Sequence, residues 1–309
     1  MDTFIQQIIN GLVLGSMYAL VALGYTMVYG VLNLINFAHG EVMMIGAMVG
    51  LTIIKLLTAY YPGLPGYWML AIAIAGAVPA CMLVNVIIER IAYRRLRNAP
   101  RLAPLITAIG ISILLQTLAM LVWGRNPLPF PQLLSSDPIN IGGAVISQTQ
   151  VLLLALAAFS MAALVLLVEK TKMGRAMRAT AENPRVAGLM GVDSDKVIVA
   201  TFAVGAALAA VAGVMWGANY SSIHFAMGAI PGLKAFSAAV LGGIGNIYGA
   251  MVGGILLGII ESLGAGYIGD VTGGFLGSNY QDIFAFIVLI IVLTIRPSGI
   301  MGERVADRA

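Results

Sequence analysis

The sequence predicts an all-α fold: a polytopic membrane helix bundle of about eight crossings, two of them broken helices. Three observations carry that prediction. The 309 residues are 60% hydrophobic and only 10% charged, with a mean hydropathy of +0.96. An ordinary soluble domain carries about 25% charged residues, and so few cannot cover the surface of a water-soluble chain this long. The charge-free tracts are long: 3–40, 56–88, 102–124, 138–168, 197–233 and 235–260. A helix needs about 20 apolar residues to cross the hydrocarbon core, so each tract holds a span. The remaining charges are clustered, with fourteen of the 17 lysines and arginines in three patches. Together these exclude soluble globular, disordered and nucleic-acid-binding classes. A single cysteine, Cys81, excludes an internal disulfide and a cysteine-cluster metal site.

The elements follow in order. The N-terminal run lacks a basic leader and stays apolar through Leu34, so it reads as a first span over 5–31 and not as a cleavable signal. The next segment opens with Asn33, Asn36, His39, Gly40 and Glu41 and continues to Leu57; its polar start predicts a discontinuous helix. A third span covers 66–89. The first cationic patch is Arg90, Arg94, Arg95, Arg97 and Arg101. Under the positive-inside rule it is cytoplasmic. The span 103–124 then leads out to a proline-containing loop, 125–148, and 149–168 returns. The second patch, Lys170, Lys172, Arg175, Arg178, Arg185 and Lys196, is again inside. Spans follow at 197–217, 247–265 and 283–295, the last reaching the third patch of Arg296, Arg304 and Arg308. Parity requires an inward crossing between 218 and 246. His224–Gly245 is short and interrupted by Pro231, Gly232, Gly242, Gly243 and Gly245, so it reads as a second broken helix around Lys234 and Ala235–Leu241. Interrupted segments in matching positions of two halves are the sequence pointer to a central transport site. Small residues recur every fourth position at Gly205, Ala209, Gly213 and Gly217, and again at Gly245, Gly249 and Gly253, with Gly254 and Gly258 in parallel. Such ridges let helix backbones approach closely in lipid.

The second cationic loop has its own grammar. Asn183-Pro184 is an N-cap followed by proline at the first helical position. Gly191 stands where a helix ends in the left-handed conformation, and Asp193 can cap the next membrane helix. A short helix over about 184–190 is therefore expected between two spans. Contact with lipid headgroups does not require a capped, stopped, separately folded helix; a docking element for a cytoplasmic partner explains that construction better.

Several stretches carry a resemblance. They are Gly174-Arg175-Ala-Met-Arg178-Ala-Thr-Ala181-Glu182-Asn183 with Ala187 and Leu189-Met-Gly191, Gly24-Tyr25-Thr-Met-Val-Tyr29-Gly30, Asn36-Phe-Ala-His39-Gly40-Glu41, Ile88-Glu89-Arg90-Ile-Ala-Tyr93-Arg94, Lys234-Ala-Phe-Ser237-Ala-Ala-Val-Leu-Gly242-Gly243-Ile-Gly245, and Arg296-Pro297-Ser-Gly-Ile-Met-Gly302. In this order over nearly the whole chain, they resemble the LivH-type permease subunits of bacterial branched-chain amino acid ABC importers. The resemblance implies a type II-like importer permease, with residues 1–309 as one transmembrane unit in the bacterial inner membrane, N-terminus periplasmic and C-terminus cytoplasmic. It implies partners: a second related permease, two cytoplasmic ATP-binding subunits that hold the ATP and magnesium, and a periplasmic substrate-binding protein. The segment 170–196 would be the coupling element, through Gly174, Arg175, Arg178, Ala181, Glu182, Asn183, Pro184, Ala187 and Gly191.

The chain has no Gly-x-x-x-x-Gly-Lys-Ser/Thr phosphate loop, so it is expected to hydrolyse no ATP itself, and no His-Glu-x-x-His zinc pair. His39 and Glu41 stand two apart and share no helix face, a weak basis for catalysis. The expected substrate path comprises Asn36, His39, Glu41, Ser237, Gly242, Gly243, Gly245 and Asn246. Glu41 either lines that path or caps the broken helix by accepting backbone N–H bonds; capping is the preferred reading. Lys234 is either a snorkelling anchor, the preferred reading, or a partner for an acidic substrate group. Free helix N-termini suit a carboxylate, and abundant Met, Leu and Val suit a branched side chain. Urea, amides and other amino acids remain alternative cargoes, and an ion-coupled secondary transporter the alternative class.

Overall fold

The computed structural model describes every residue except 1, 98, 101, 135–137, 142, 272, 274–280, 297 and 303–309. Arg101, Pro297, Arg304, Arg308 and part of the expected outer loop near 270–282 therefore lie outside the described residues. The helices in chain order are α1 (Asp2–Leu32), α2 (His39–Tyr60), α3 (Gly66–Ile88), a π-helical turn (Glu89–Tyr93), α4 (Arg94–Leu96), α5 (Leu102–Trp123), α6 (Gln148–Lys170), α7 (Lys172–Glu182), α8 (Pro184–Leu189), α9 (Ser194–Tyr220), α10 (Ala229–Gly242), α11 (Ile247–Val271) and α12 (Gln281–Ile295). Among the described residues, seven are long and apolar enough to cross a membrane, and α10 and α12 are shorter apolar helices of 14 and 15 residues. Counting the two short helices, that is nine segments, one for each stretch assigned in order from the sequence and one more than the total of about eight crossings. At 1.5 Å per residue α10 spans about 21 Å, short of the roughly 30 Å hydrocarbon core.

Small residues set the interior packing. Gly11, Gly15 and Ala19 of α1 run antiparallel against Gly258, Ile255 and Gly254 of α11, and a Cβ added at Gly15, Gly254 or Gly258 would overlap the facing helix. Gly213 of α9 sits on the Met43 and Ala47 backbone of α2, and Gly46 of α2 on Ala210 of α9. Gly249 and Gly253 of α11 meet Gly242 and Ala238 of α10. The predicted ridges on α9 and α11 thus become seams, except that Gly245 lies before α11 and Gly217 faces the Phe130 ring. α1, α2 and α9 form the buried centre, whereas α3, α5 and α6 show most of their surface outward. The outward face of α5 carries Ile106, Ile109, Ile113, Leu118 and Leu121, as lipid contact demands.

The loop 125–148 adds short strands that cover the end of the bundle opposite the arginines. β1 (Leu128–Pro129) pairs antiparallel with β4 (Ser222–Ile223), and β2 (Pro138–Ile141) with β3 (Ala144–Ser147). Phe130 N–H donates to the Ser221 carbonyl at 3.0 Å, and the Phe130 ring fills the space above Gly217. Ser221, at φ +55°, ends α9 in the left-handed region.

The first break differs from expectation. α1 ends at Asn33, φ +54°, and residues 33–38 turn back into the bundle. His39, the first residue of α2, packs beside Gly24, eight residues before the end of α1. The entry into α2 therefore lies about 12 Å inside the bundle. The interruption precedes α2 and does not divide it. A short, hydrogen-bonded return loop satisfies the backbone where a mid-helix gap would leave N–H groups bare.

Candidate functional site

The two breaks converge. α10 begins beside the start of α2: a Cβ on Gly40 would fall on the Gly228 carbonyl, and one on Gly232 would fall on Gly40. Two helix N-termini thus meet in mid-bundle. Neither has a side-chain cap of its first turn. The return loop is tied down by Asn36. Its Oδ1 accepts from Ala38 N–H at 3.1 Å and from Tyr93 Oη at 3.0 Å, and its Nδ2 points to Asn85 Oδ1 at 3.5 Å. Asn85 Nδ2 donates onward to the Phe202 carbonyl at 2.7 Å. Asn36 is a buried structural joint linking α2, α3, the π-turn and α9.

His39 is 1% exposed and sealed in the seam of Gly24 and Gly205, edge-on to Tyr25 with centroids 5.0 Å apart. Neither ring nitrogen has a partner among the described residues. Glu41 points the other way, as the two-residue spacing predicts. Its Oε1 accepts from Gln116 Nε2 at 2.7 Å and Ser112 Oγ at 3.2 Å, both on α5. The preferred capping reading of Glu41 is therefore corrected. The carboxylate clasps a neighbouring helix, because its side chain leaves the α2 axis toward α5.

The remaining expected path residues lie elsewhere. Ser237 Oγ donates to the Leu233 carbonyl of its own helix at 2.9 Å. Gly242, Gly243 and Asn246 form a joint at the arginine-rich end. Gly243, at φ +106°, lies against Gly302; Asn246 Nδ2 donates to the Met301 carbonyl at 3.0 Å, and its Oδ1 accepts from Gly249 N–H. Gly245 faces an adjoining cavity of about 780 Å³, lined among others by Tyr29, Asn33, Glu169 and Arg178. The structure thus brings Asn36, His39 and Glu41 together and keeps Gly242–Asn246 about one α10 length away.

Lys234 is also corrected. It is 4% exposed, and its Nζ lies 2.5 Å from Glu261 Oε1 and 2.5 Å from Asp282 Oδ1. Tyr18 Oη donates to Glu261 Oε2 at 3.1 Å. A snorkelling lysine keeps its head in water; this one is drawn inward by two carboxylates. Sequence reasoning singled out Lys234 but missed its pairing with Glu261 and Asp282 and missed Tyr18. The only available signal was that a membrane-embedded lysine must have a named partner.

At the arginine-rich end the loop folds as its grammar predicts. Asn183 Oδ1 accepts from Arg185 N–H at 3.0 Å and Val186 N–H at 3.2 Å; Pro184 opens α8; Gly191 has φ +86°; Asp193 Oδ1 accepts from Lys196 N–H at 3.2 Å. The same lysine's side chain and backbone hold the Asp193 carboxyl below its ordinary range. α7 was not anticipated. Thr171 caps it, and Gly174, Met177 and Thr180 are buried, with Gly174 on the Val168 backbone. Arg178 donates to the Val168 carbonyl. Ala181 borders a small cavity with Thr26 and Met177, and Ala187 is buried. Gly174, Arg178, Ala181 and Ala187 therefore hold the segment against the bundle. Arg175, Glu182, Asn183, Pro184 and Gly191 are exposed. So are Val186, Leu189 and Met190, with Leu189 87% and Met190 80% accessible. Their i, i+3, i+4 spacing was the missed signal. Beside this loop, Arg94 and Arg97 both bind Asp195 at the start of α9, and Arg97 also binds the buried Glu89 of the π-turn.

The family model described as "Branched-chain amino acid transport system / permease component" matches residues 7–293. The chain belongs to this permease family. It is 45% identical over 304 residues to the high-affinity branched-chain amino acid transport system permease protein BraD of Pseudomonas aeruginosa, covering 97% of this chain and 96% of that one. It is 44% identical over 306 residues to the high-affinity permease LivH of Escherichia coli K12, with the same coverage. A probable LivH permease of the archaeon Methanocaldococcus jannaschii is 32% identical over 307 residues, 95% of this chain and 91% of that one. The permease fold thus accounts for the seven long apolar helices, which make this a multi-pass membrane protein.

Proposed function

We propose that this chain is the transmembrane permease subunit of an ATP-binding-cassette importer that moves leucine, isoleucine and valine across the bacterial inner membrane. The observation that carries the proposal is 44–45% identity over 97% of the chain to high-affinity branched-chain amino acid permeases. In this reading the arginine-rich end is cytoplasmic, the N-terminus periplasmic, and residues 1–309 act as one permease unit. A second permease pairs with it, two separate subunits bind and hydrolyse ATP with magnesium, and a periplasmic binding protein delivers the amino acid. α8 is the docking element. Its cap, its proline and its exposed Val186, Leu189 and Met190 suit a groove on an ATPase subunit. ATP would then shift the bundle between two packings through differential contacts at that loop, with α7 and the Asp195–Arg97–Glu89 pairs joining the loop to α6, α9 and the π-turn.

The test is co-expression with the neighbouring transport genes. The expected result is co-purification of an ATPase subunit and ATP-dependent leucine uptake in proteoliposomes, both lost when Arg175–Gly191 is replaced by a flexible linker. Uptake by this chain alone, driven by an ion gradient and indifferent to ATP, would overturn the reading.

A further inference from the structure

Lys234, Glu261 and Asp282 form an ionic cluster between α10, α11 and α12. They line a cavity of about 380 Å³ that opens at the end opposite the arginines, between α1, α9, α10, α11 and α12. That volume falls within the range of small-ligand pockets, about 300–1,000 Å³. One wall is apolar and aromatic, from Trp216, Tyr220, Met227 and Ile230. The other wall is ionic. Buried charge inside a membrane protein is expensive and is retained where it handles charge.

The hydrogen-bond count on the ionic wall is incomplete in a specific way. An ammonium has three N–H donors. Lys234 spends two, on Glu261 Oε1 and Asp282 Oδ1. Among the described residues no third acceptor stands within hydrogen-bond distance. Glu261 accepts from Lys234 at Oε1 and from the single Tyr18 hydroxyl, which stands 3.1 Å from Oε2 and 3.3 Å from Oε1. Asp282 Oδ2 has no partner among the described residues, and that side chain is 41% exposed to the cavity mouth. α10 also begins at this wall with no side-chain cap. Counted over the described residues, the site therefore leaves one cationic donor and one anionic acceptor spare, side by side and facing an apolar wall.

We propose that this cavity is an entry subsite for the zwitterionic head of an α-amino acid. Its carboxylate takes the free N–H of Lys234. Its ammonium takes Asp282 Oδ2, and its apolar side chain lies on Trp216 and Ile230. This rests on the importer reading and adds to it the residues that read the head group. Glu261 and Tyr18 are positioning residues, holding the lysine in place.

The test is protection from labelling, in the complete complex reconstituted in vesicles without binding protein. Cys81 is buried, so Ile230→Cys on the cavity wall provides the reactive thiol. Leucine at about ten times its dissociation constant should slow modification by an aqueous maleimide about tenfold, because only the empty fraction reacts. 4-Methylpentanoate, which lacks the ammonium, and 3-methylbutylamine, which lacks the carboxylate, should protect far less at the same concentration. Asp282→Asn should weaken protection by leucine, read against the labelling rate of the same variant without leucine. The analogue comparison needs no altered charge, so it holds even if Asp282→Asn fails to fold. Absence of protection by leucine, or equal protection by all three compounds, overturns the subsite. ATP-driven uptake is then measured on the same vesicles after the periplasmic binding protein is supplied. Uptake without protection sinks the subsite alone, and absence of uptake sinks the importer reading.

Discussion

Asn36 shows how much one side chain can organise. Its amide accepts from the Ala38 backbone and from Tyr93, and reaches Asn85. Removing it leaves a buried donor on each side. Asn36→Ala should cost about 1–3 kcal/mol for each partner left unsatisfied, read as a lower thermal unfolding midpoint in detergent. Tyr93→Phe, which removes one partner of that pair together with its hydroxyl, should cost less. The close approach of Gly40 to Gly228 is a second single-residue device. Gly40→Val places branched carbon on the Gly228 carbonyl, and overpacking of that kind costs about 1–3 kcal/mol or more. We expect reduced membrane yield with unchanged transcript level, and partial recovery in Gly40→Ala. At this scale the sequence was legible in part. Asn36, His39, Glu41 and Lys234 stood out as polar groups in apolar tracts. Their roles did not, because a role depends on the helix each side chain faces. Glu41 finds α5 and Lys234 finds α11 and α12, both remote in sequence.

Among the elements, α8 was the most legible and α7 the least. Caps and stops are local: Asn183, Pro184, Gly191 and Asp193 act within a few residues, so their outcome can be read from order alone. α7 forms because Met177 and Thr180 find a surface on the bundle, which no local rule announces. Two predictions separate folding of α8 from docking by it. Asn183→Ala removes the cap, worth about 1 kcal/mol, and should reduce ATPase co-purification partially. Leu189→Asp alters a side chain with no internal packing, so it should abolish co-purification while leaving the unfolding midpoint of the isolated chain unchanged. The joint with α9 carries a pH signature. The Asp193 carboxyl is depressed by Lys196. A depressed carboxyl stabilises above its unfolded value, near about 4, and the contribution is lost as pH falls through the folded value. Amide exchange at residues 194–196, corrected for intrinsic rate, should therefore be flat from neutral pH to about 5 and rise only below that range.

Over the whole molecule the decisive quantities are the scarcity of charge and the placement of what remains. If the arginine-rich end is cytoplasmic, an impermeant reagent added outside intact spheroplasts should modify a cysteine placed in the 125–148 loop and spare one placed at Leu189. The reverse pattern would invert the topology. Composition and charge-free tract length determined the membrane class, the limits of the long helices and the basic end, because hydrocarbon imposes one simple rule on every residue that enters it. The sequence by itself also determined which small residues would form seams, since a ridge of glycine has little other use in lipid. Only the tertiary structure decided that α2 starts from a return loop deep in the bundle, that two helix N-termini meet at Gly40 and Gly228, and that Lys234 is shared by two carboxylates. Those are contacts between segments far apart in the chain. Periodicity and capping rules reach about one helical turn, and beyond that distance only packing in three dimensions selects the partner.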